Sequence, residues 1–337
     1  MGKSYPLKID AFAHIVPKKY KEAVEKLAPE EAEEKIEIIT TLWDLDYRFR
    51  IMDRYEGLVQ VIAPAWPPVE DIADAQAAVD LARLLNDGMA ELVFKYPDRF
   101  IAAIACLPMN NMESALKEAE RAIEELSFRG VLIYTPINDK PLDSPEFIPL
   151  YEMMVQYDLP IFLHPMRPPS YPDYRTEKES KYRIFSIFGW PYETTAAMTR
   201  LVFSGIMEQY PNLKFVTHHC GGMVPFFAER IKQFHDIAEI RRHLGFTKGL
   251  PRHYIDYYKM FYADTALYGN PTALMCGYDF FGPEHLIFGI DMPLGCTELG
   301  NRNYRQTINA IEQMAISEED KNKIYVDNAC RLMRLPI

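Results

Sequence analysis

Eight short apolar runs recur along the chain, and each is followed by sequence with helical spacing. The runs cover 8–14, 58–64, 100–108, 130–135, 160–164, 214–219, 261–265 and 286–291. Between them apolar residues return every three to four positions, as in MESALKEAERAIEEL over 112–126. Helical sequence is also expected at 45–53, 70–96, 145–157, 193–210, 224–240, 271–280, 303–315 and 318–332. A strand that is followed by a helix and then another strand implies parallel pairing, because a parallel neighbour needs a crossover. Eight such units predict an α/β fold of the (β/α)8 TIM-barrel type, distorted by insertions over its C-terminal face. A doubly wound open sheet is the structural alternative, but no Gly-x-Gly-x-x-Gly turn follows any of the runs. No composition break divides the 337 residues, so one barrel domain over 1–337 is expected. The insertions fall at 18–44, after the first strand, and at 166–191, after the fifth. Both would lie over the barrel mouth, where long loops carry lids and substrate contacts.

In a barrel the chemistry sits at the C-terminal ends of the strands. Several runs end in polar groups: Lys8-Ile9-Asp10-Ala11-Phe12-Ala13-His14, Leu163-His164-Pro165, Thr217-His218-His219 and Gly289-Ile290-Asp291. Four of the eight histidines lie at these ends. A lone strand-end histidine is more often a hydrogen-bonded structural residue, and Asp291 alone could cap a turn. Converging on one mouth, His14, His164 and Asp291 make a ligand set for a divalent metal with a position left open for water. Zinc is the first expectation, with manganese or iron as alternatives, and no organic cofactor is implied. Strict alternation places Asp10, Phe12 and His14 on one face. The same rule admits only one of His218 and His219 to the interior. Lys214 is a poor barrel-core residue, so the pattern favours His219, with Thr217 and Phe215.

The formal net charge is -11 and no basic footprint is present, which argues against nucleic acid as a partner. No apolar run approaches the roughly 18 residues of a membrane span, and no signal-peptide core precedes the first strand. Five scattered cysteines without a Cys-x-x-Cys pair fit a reduced, cytoplasmic protein.

Six stretches in order resemble the amidohydrolase superfamily, and within it the branch of aminocarboxymuconate-semialdehyde and γ-resorcylate-type decarboxylases. They are Ile9-Asp10-Ala11-Phe12-Ala13-His14-Ile15-Val16-Pro17, Leu163-His164-Pro165, Pro191-Tyr192-Glu193-Thr194-Thr195-Ala196-Ala197-Met198, His219-Cys220-Gly221-Gly222 with Pro225-Phe226, Phe288-Gly289-Ile290-Asp291-Met292-Pro293, and Asn328-Ala329 with Arg331-Leu332. The resemblance implies that His14, His164 and Asp291 hold the metal. It also implies that His219 is the general acid/base beside it, with Asp291 sharing the proton work. One departure stands out: Phe12 occupies the place of the first histidine in the family's opening His-x-His, with Asp10 as the candidate substitute ligand. For an anionic substrate the candidate contacts are Arg48, Arg50, Arg167 and Trp190. The implied activity is metal-dependent, non-oxidative decarboxylation of a small aromatic or unsaturated carboxylate. One alternative is a metal-dependent hydrolase or hydratase of a lactone, cyclic amide or unsaturated acid. The other is a catalytically decayed barrel with a binding role. The resemblance further implies a homodimer, with Arg241 or Arg242 reaching the neighbour's site.

Overall fold

A computed structural model describes residues 7–242, 250–292 and 298–336, and within these the side chains of 238–242 and 298–299 lie outside the description. Nine ladder segments run in chain order: β1 (Lys8–Ile15), β2 (Leu58–Pro64), β3 (Phe100–Ala103), β4 (Ala105–Cys106), β5 (Val131–Thr135), β6 (Ile161–Pro165), β7 (Phe215–Thr217), β8 (Tyr262–Asp264) and β9 (Leu286–Ile287). Each pairs in parallel with the next, in two sheets ordered β1-β2-β3 and β4 through β9. The run expected as one strand over 100–108 is broken at Ile104, whose N–H turns back to the Ile62 carbonyl at 2.9 Å while Ala105 N–H bonds Gly130 O at 2.9 Å. The other seam closes through Ala11 N–H to Phe288 O at 2.8 Å, His14 N–H to Met292 O at 2.7 Å and a parallel bridge between Ala13 and Met292. The eight expected strands thus form a closed barrel.

Two apolar layers follow from strand alternation. Val61, Ile104, Leu132, Phe162, Val216 and Ile287 fill the interior, and the final helix (Asn328–Met333) adds Leu332 and Met333 to that cluster. Ile62, Val131, Ile133 and Phe215 face outward into the larger core under the helices. Helix starts are set by short polar caps. Asp44, Asp74, Asn111 and Asn270 each accept a first-turn N–H, which satisfies donors the helix cannot. The cap at Asp74 also explains why the helix expected over 70–96 is two, Val69–Ile72 and Ala75–Lys95. The 166–191 insertion ends in a short helix, Ile184–Ile187, that leads into Gly189–Phe203.

The first strand departs from regular alternation. Asp10 pairs with Gln60 but Ala13 pairs with Ile62, so β1 advances three residues while β2 advances two. This bulge reverses which face each residue takes. Ile9 and Ala11 point inward before it, Phe12 and His14 after it, and Ala13 and Ile15 join the outer core. Asp10 therefore lies on the opposite face from Phe12 and His14, contrary to the expectation from strict alternation.

Candidate metal centre and proton donor

His14, His164 and Asp291 are all buried, and each offers one ligand atom within 4.8 Å of the others. His14 leaves β1 just past the bulge. Its Nδ1 lies 2.6 Å from the Pro64 carbonyl at the end of β2, and its Nε2 lies 3.2 Å from Asp291 Oδ1. His164 is tied in the same way, Nδ1 to the Pro165 carbonyl at 2.9 Å. A carbonyl can only accept, so both rings carry the Nδ1 proton and turn Nε2 towards the site. Burial, reinforced by His14, pulls His164 down to about 3, so it stands neutral at physiological pH. Two imidazoles oriented by backbone carbonyls and one carboxylate are a donor set that fits Zn²⁺, Mn²⁺ or Fe²⁺. Burial alone would raise the Asp291 carboxyl. Hydrogen bonds from His14 and His219, with the charges on both, instead hold it well below the usual range. Its Oδ2 also accepts from Tyr268 Oη at 3.0 Å.

His219 reaches this cluster from a turn rather than from a strand. β7 ends at Thr217, and His219–Gly221 form one tight turn with His219 at φ 54° and Cys220 at φ 53°. Such left-handed backbone is unfavourable for non-glycine residues unless its surroundings fix it. Asp264, at the end of β8, does so. Its carboxylate accepts from His219 N–H at 3.1 Å, Cys220 N–H at 2.9 Å and Ala266 N–H at 2.9 Å. His219 Nε2 then lies 3.5 Å from Asp291 Oδ2, with its ring 6.5 Å from Trp190 and from Tyr268. Burial works against its charge, but Asp291, aided by Asp264, raises its pKa above the ordinary value. The pair therefore reads as an ionised carboxylate beside a protonated imidazole.

The structure brings together His14, His164, Asp291, His219 and Trp190, whose ring lies 5.9 Å from that of His164. Arg167 lies beside them: its carbonyl accepts from Trp190 Nε1–H at 3.1 Å and its guanidinium faces Glu193 at 4.0 Å. Two expectations are corrected, those for Asp10 and Arg48. Asp10 accepts from Tyr304 Oη and, at 3.4 Å, from Ile290 N–H, and its carboxyl is pushed to about 7 by burial. It stands outside the ligand cluster because the bulge turns it away. Arg48 is wholly buried and spends its guanidinium on the carbonyls of His14 (2.7 Å), Thr41 (3.3 Å) and Ala13 (3.3 Å) and on Gln60 Oε1 (2.8 Å). It therefore holds the strand that carries His14 and is not free for substrate. Arg50 is exposed, its guanidinium 5.6 Å over the Tyr47 ring. The His218/His219 expectation also changes. Val216 is interior and Phe215 exterior, so His218 follows Val216 inward, while the turn brings His219 in as well. Lys214 precedes the strand and pairs with Asp158. Arg241 and Arg242 have side chains outside the described residues. Asp264, Tyr268 and Tyr304 were missed. Asp264 had a signal, the polar end of the Phe261–Thr265 run; the two tyrosines had none.

Comparison with known proteins agrees with this geometry. The amidohydrolase family model matches residues 9–335. The chain is 32% identical to a gamma-resorcylate decarboxylase of a Polaromonas species, over 89% of this chain and 90% of the relative. It is 29% identical to the 2-amino-3-carboxymuconate-6-semialdehyde decarboxylase of Dictyostelium discoideum, over 98% and 92%. Among solved structures, 5-carboxyvanillate decarboxylase of Sphingomonas paucimobilis superposes with a TM-score of 0.84 at 25% identity, covering 98% of this chain and 100% of that one. The Polaromonas dihydroxybenzoic acid decarboxylase, with bound manganese and 2-nitroresorcinol, superposes with a TM-score of 0.77 at 27% identity, covering 99% and 98%. The barrel, the buried histidine–aspartate cluster at its mouth and these matches place the chain in the amidohydrolase family.

Proposed function

We propose that this enzyme is a divalent-metal-dependent, non-oxidative decarboxylase of a small aromatic carboxylate. The observation that carries the reading is the cluster of His14, His164 and Asp291 within 4.8 Å, with His219 3.5 Å from Asp291. Resorcylate and carboxyvanillate, for which two of these relatives are named, are aromatic carboxylates, and this supports the substrate class. The ion when bound supplies positive charge for a substrate oxygen and for the electron pair left when CO₂ departs. His14, His164 and Asp291 would hold it. The manganese in solved relatives favours Mn²⁺ over the zinc expected from sequence.

The chain's own residues then manage one proton. ArCO₂⁻ plus H⁺ gives ArH plus CO₂: the proton bonds to the ring carbon bearing the carboxylate, and the carbon–carboxylate bond breaks. His219 holds that proton, Asp291 sits beside it to relay it, and Asp264 keeps His219 aimed by fixing its turn. Trp190 offers a flat ring over the His164–His219 side, and Arg167 offers a cation for a second anionic group on the substrate. No described helix is long and apolar enough to cross a membrane. We take the chain as one barrel domain with the two insertions, acting as a cytoplasmic homodimer.

The test measures CO₂ released from a panel of hydroxybenzoates by Mn²⁺-loaded and chelated protein. Loaded enzyme should release CO₂ and chelated enzyme should not. His219→Asn should lower kcat by about 10²–10⁴-fold, the usual contribution of a positioned acid. Stoichiometric metal with no CO₂ from any aromatic carboxylate would return the barrel to hydrolase or hydratase chemistry.

A further inference from the structure

His218 has no partner to justify its burial. Its ring is fully buried, and neither Nδ1 nor Nε2 has a hydrogen-bond partner. Asp264 Oδ2 is 3.7 Å from Nδ1, beyond hydrogen-bond reach, and that carboxylate already serves three backbone N–H groups. Buried polar side chains are nearly always paired, and one that is not calls for an explanation such as an ion. A purely packing role would suit an apolar side chain better, as at Phe12, whose ring centre is 3.9 Å away.

The three inward imidazoles have the spacing of ligands around one centre. Ring centres are 5.2 Å apart for His14 and His164, 4.7 Å for His164 and His218, and 6.2 Å for His14 and His218. With a metal–nitrogen bond of about 2.0–2.1 Å, a ring centre stands about 3.2 Å from the ion, so two rings on one ion are at most about 6.4 Å apart. All three separations fall below that ceiling. His218 is not among the residues whose ligand atoms already share the 4.8 Å cluster, so it has to draw in when the ion binds.

We propose that His218 is the fourth protein ligand, entering from the end of β7 and supplying the imidazole that Phe12 cannot supply from β1. The proposal rests on the metal-dependent reading above. The adjacent histidines then have separate roles, His218 as a ligand and His219, displaced into the turn, as the carrier of the proton.

The test counts imidazole nitrogens coupled to Mn²⁺ by pulsed electron paramagnetic resonance, with elemental analysis for stoichiometry. One ion per chain with three coupled imidazoles is expected in the unmodified protein. His218→Leu should leave two and weaken Mn²⁺ binding by more than about 100-fold, beyond the about 10–100-fold that an outer partner costs. His219→Leu should leave three, and Phe12→His added to His218→Leu should bring the third coupling back. One ion with only two imidazoles in the unmodified protein overturns this inference and leaves the metal reading standing. Failure to take up any divalent ion overturns both. Should His218→Leu not fold, the count on the unmodified protein decides.

Discussion

Arg48→Met separates two roles for one residue. The substitution keeps most of the side-chain volume and removes every donor. In the structure those donors make two short bonds, 2.7 Å to His14 O and 2.8 Å to Gln60 Oε1, and two longer ones of 3.3 Å to Thr41 O and Ala13 O. A hydrogen bond from a charged group contributes about 1.5–3 kcal/mol, so the two short bonds alone amount to about 3–6 kcal/mol. Against this stands the cost of burying the guanidinium, visible in its pKa being lowered by burial to about 10, which the variant avoids. A net loss of about 2–4 kcal/mol of unfolding free energy is expected. Urea unfolding of the metal-free protein measures it as a lower midpoint at unchanged slope. Because Arg48 holds the His14 backbone, the folded fraction should also bind Mn²⁺ more weakly, with kcat lowered at saturating metal and KM little changed. A stability change under about 0.5 kcal/mol, typical of a surface substitution, together with a raised KM, would refute the reasoning and make Arg48 a substrate contact.

Gly222→Ala should destabilise the turn that carries His219. Gly222 has φ 63° and ψ -119°, and an added Cβ would lie 2.5 Å from Pro191 O, so a loss of about 2–3 kcal/mol in thermal unfolding is expected, with kcat falling further than substrate affinity. Glu70, buried near Cys106 and Tyr20, should make stability depend on pH. Burial raises its pKa from the ordinary 4.5 to about 8. The folded state therefore binds the proton more tightly than the unfolded one, and its contribution is full below about pH 4.5 and falls away as pH rises to about 8. Glu70→Gln should flatten that decline in a series of urea midpoints, and an unchanged slope would show that the carboxyl is not held protonated.

Much of the barrel was legible because periodicity is set by burial on two faces. The runs at 58–64 and 130–135, apolar but for Gln60 and Thr135, gave β2 and β5 nearly residue for residue. The clustering of His14, His164 and Asp291 was legible for a related reason: they interrupt apolar runs at the end where a barrel does its chemistry. What was not legible depends on the backbone leaving regular geometry. Nothing in Asp10-Ala11-Phe12-Ala13 announces a bulge, since all four residues are compatible with a straight strand. Arg48 in its helix looks like any exposed cation; its burial follows from carbonyls on β1, more than thirty residues earlier. Alternation points to His219 only from the opposite face: the chain carries Val216 and His218 inward and leaves the strand at His219.

Three local departures from strand geometry assemble the site, and each has its own brace. The bulge in β1 turns His14 inward and leaves nearby carbonyls for Arg48. The left-handed turn after β7 brings His219 beside His218, and Asp264 captures its free N–H groups. Asp291 itself sits at φ 58°, just after Ile290 N–H bonds Asp10. Positions of this kind cost on the order of 1–3 kcal/mol each and persist only where the surroundings over-determine them. Their braces, Arg48, Asp264 and Asp10, are all fully buried and all charged or titratable. None of them belongs to the ligand cluster. A regular strand delivers only every second residue to the barrel interior. Two successive histidines and a ligand on the far side of a bulge can meet only if those rules are broken, and the braces make each break stable. Substitution at a brace should therefore impair metal binding and proton delivery by about 10–100-fold, less than substitution at a ligand, while leaving the ligand set intact.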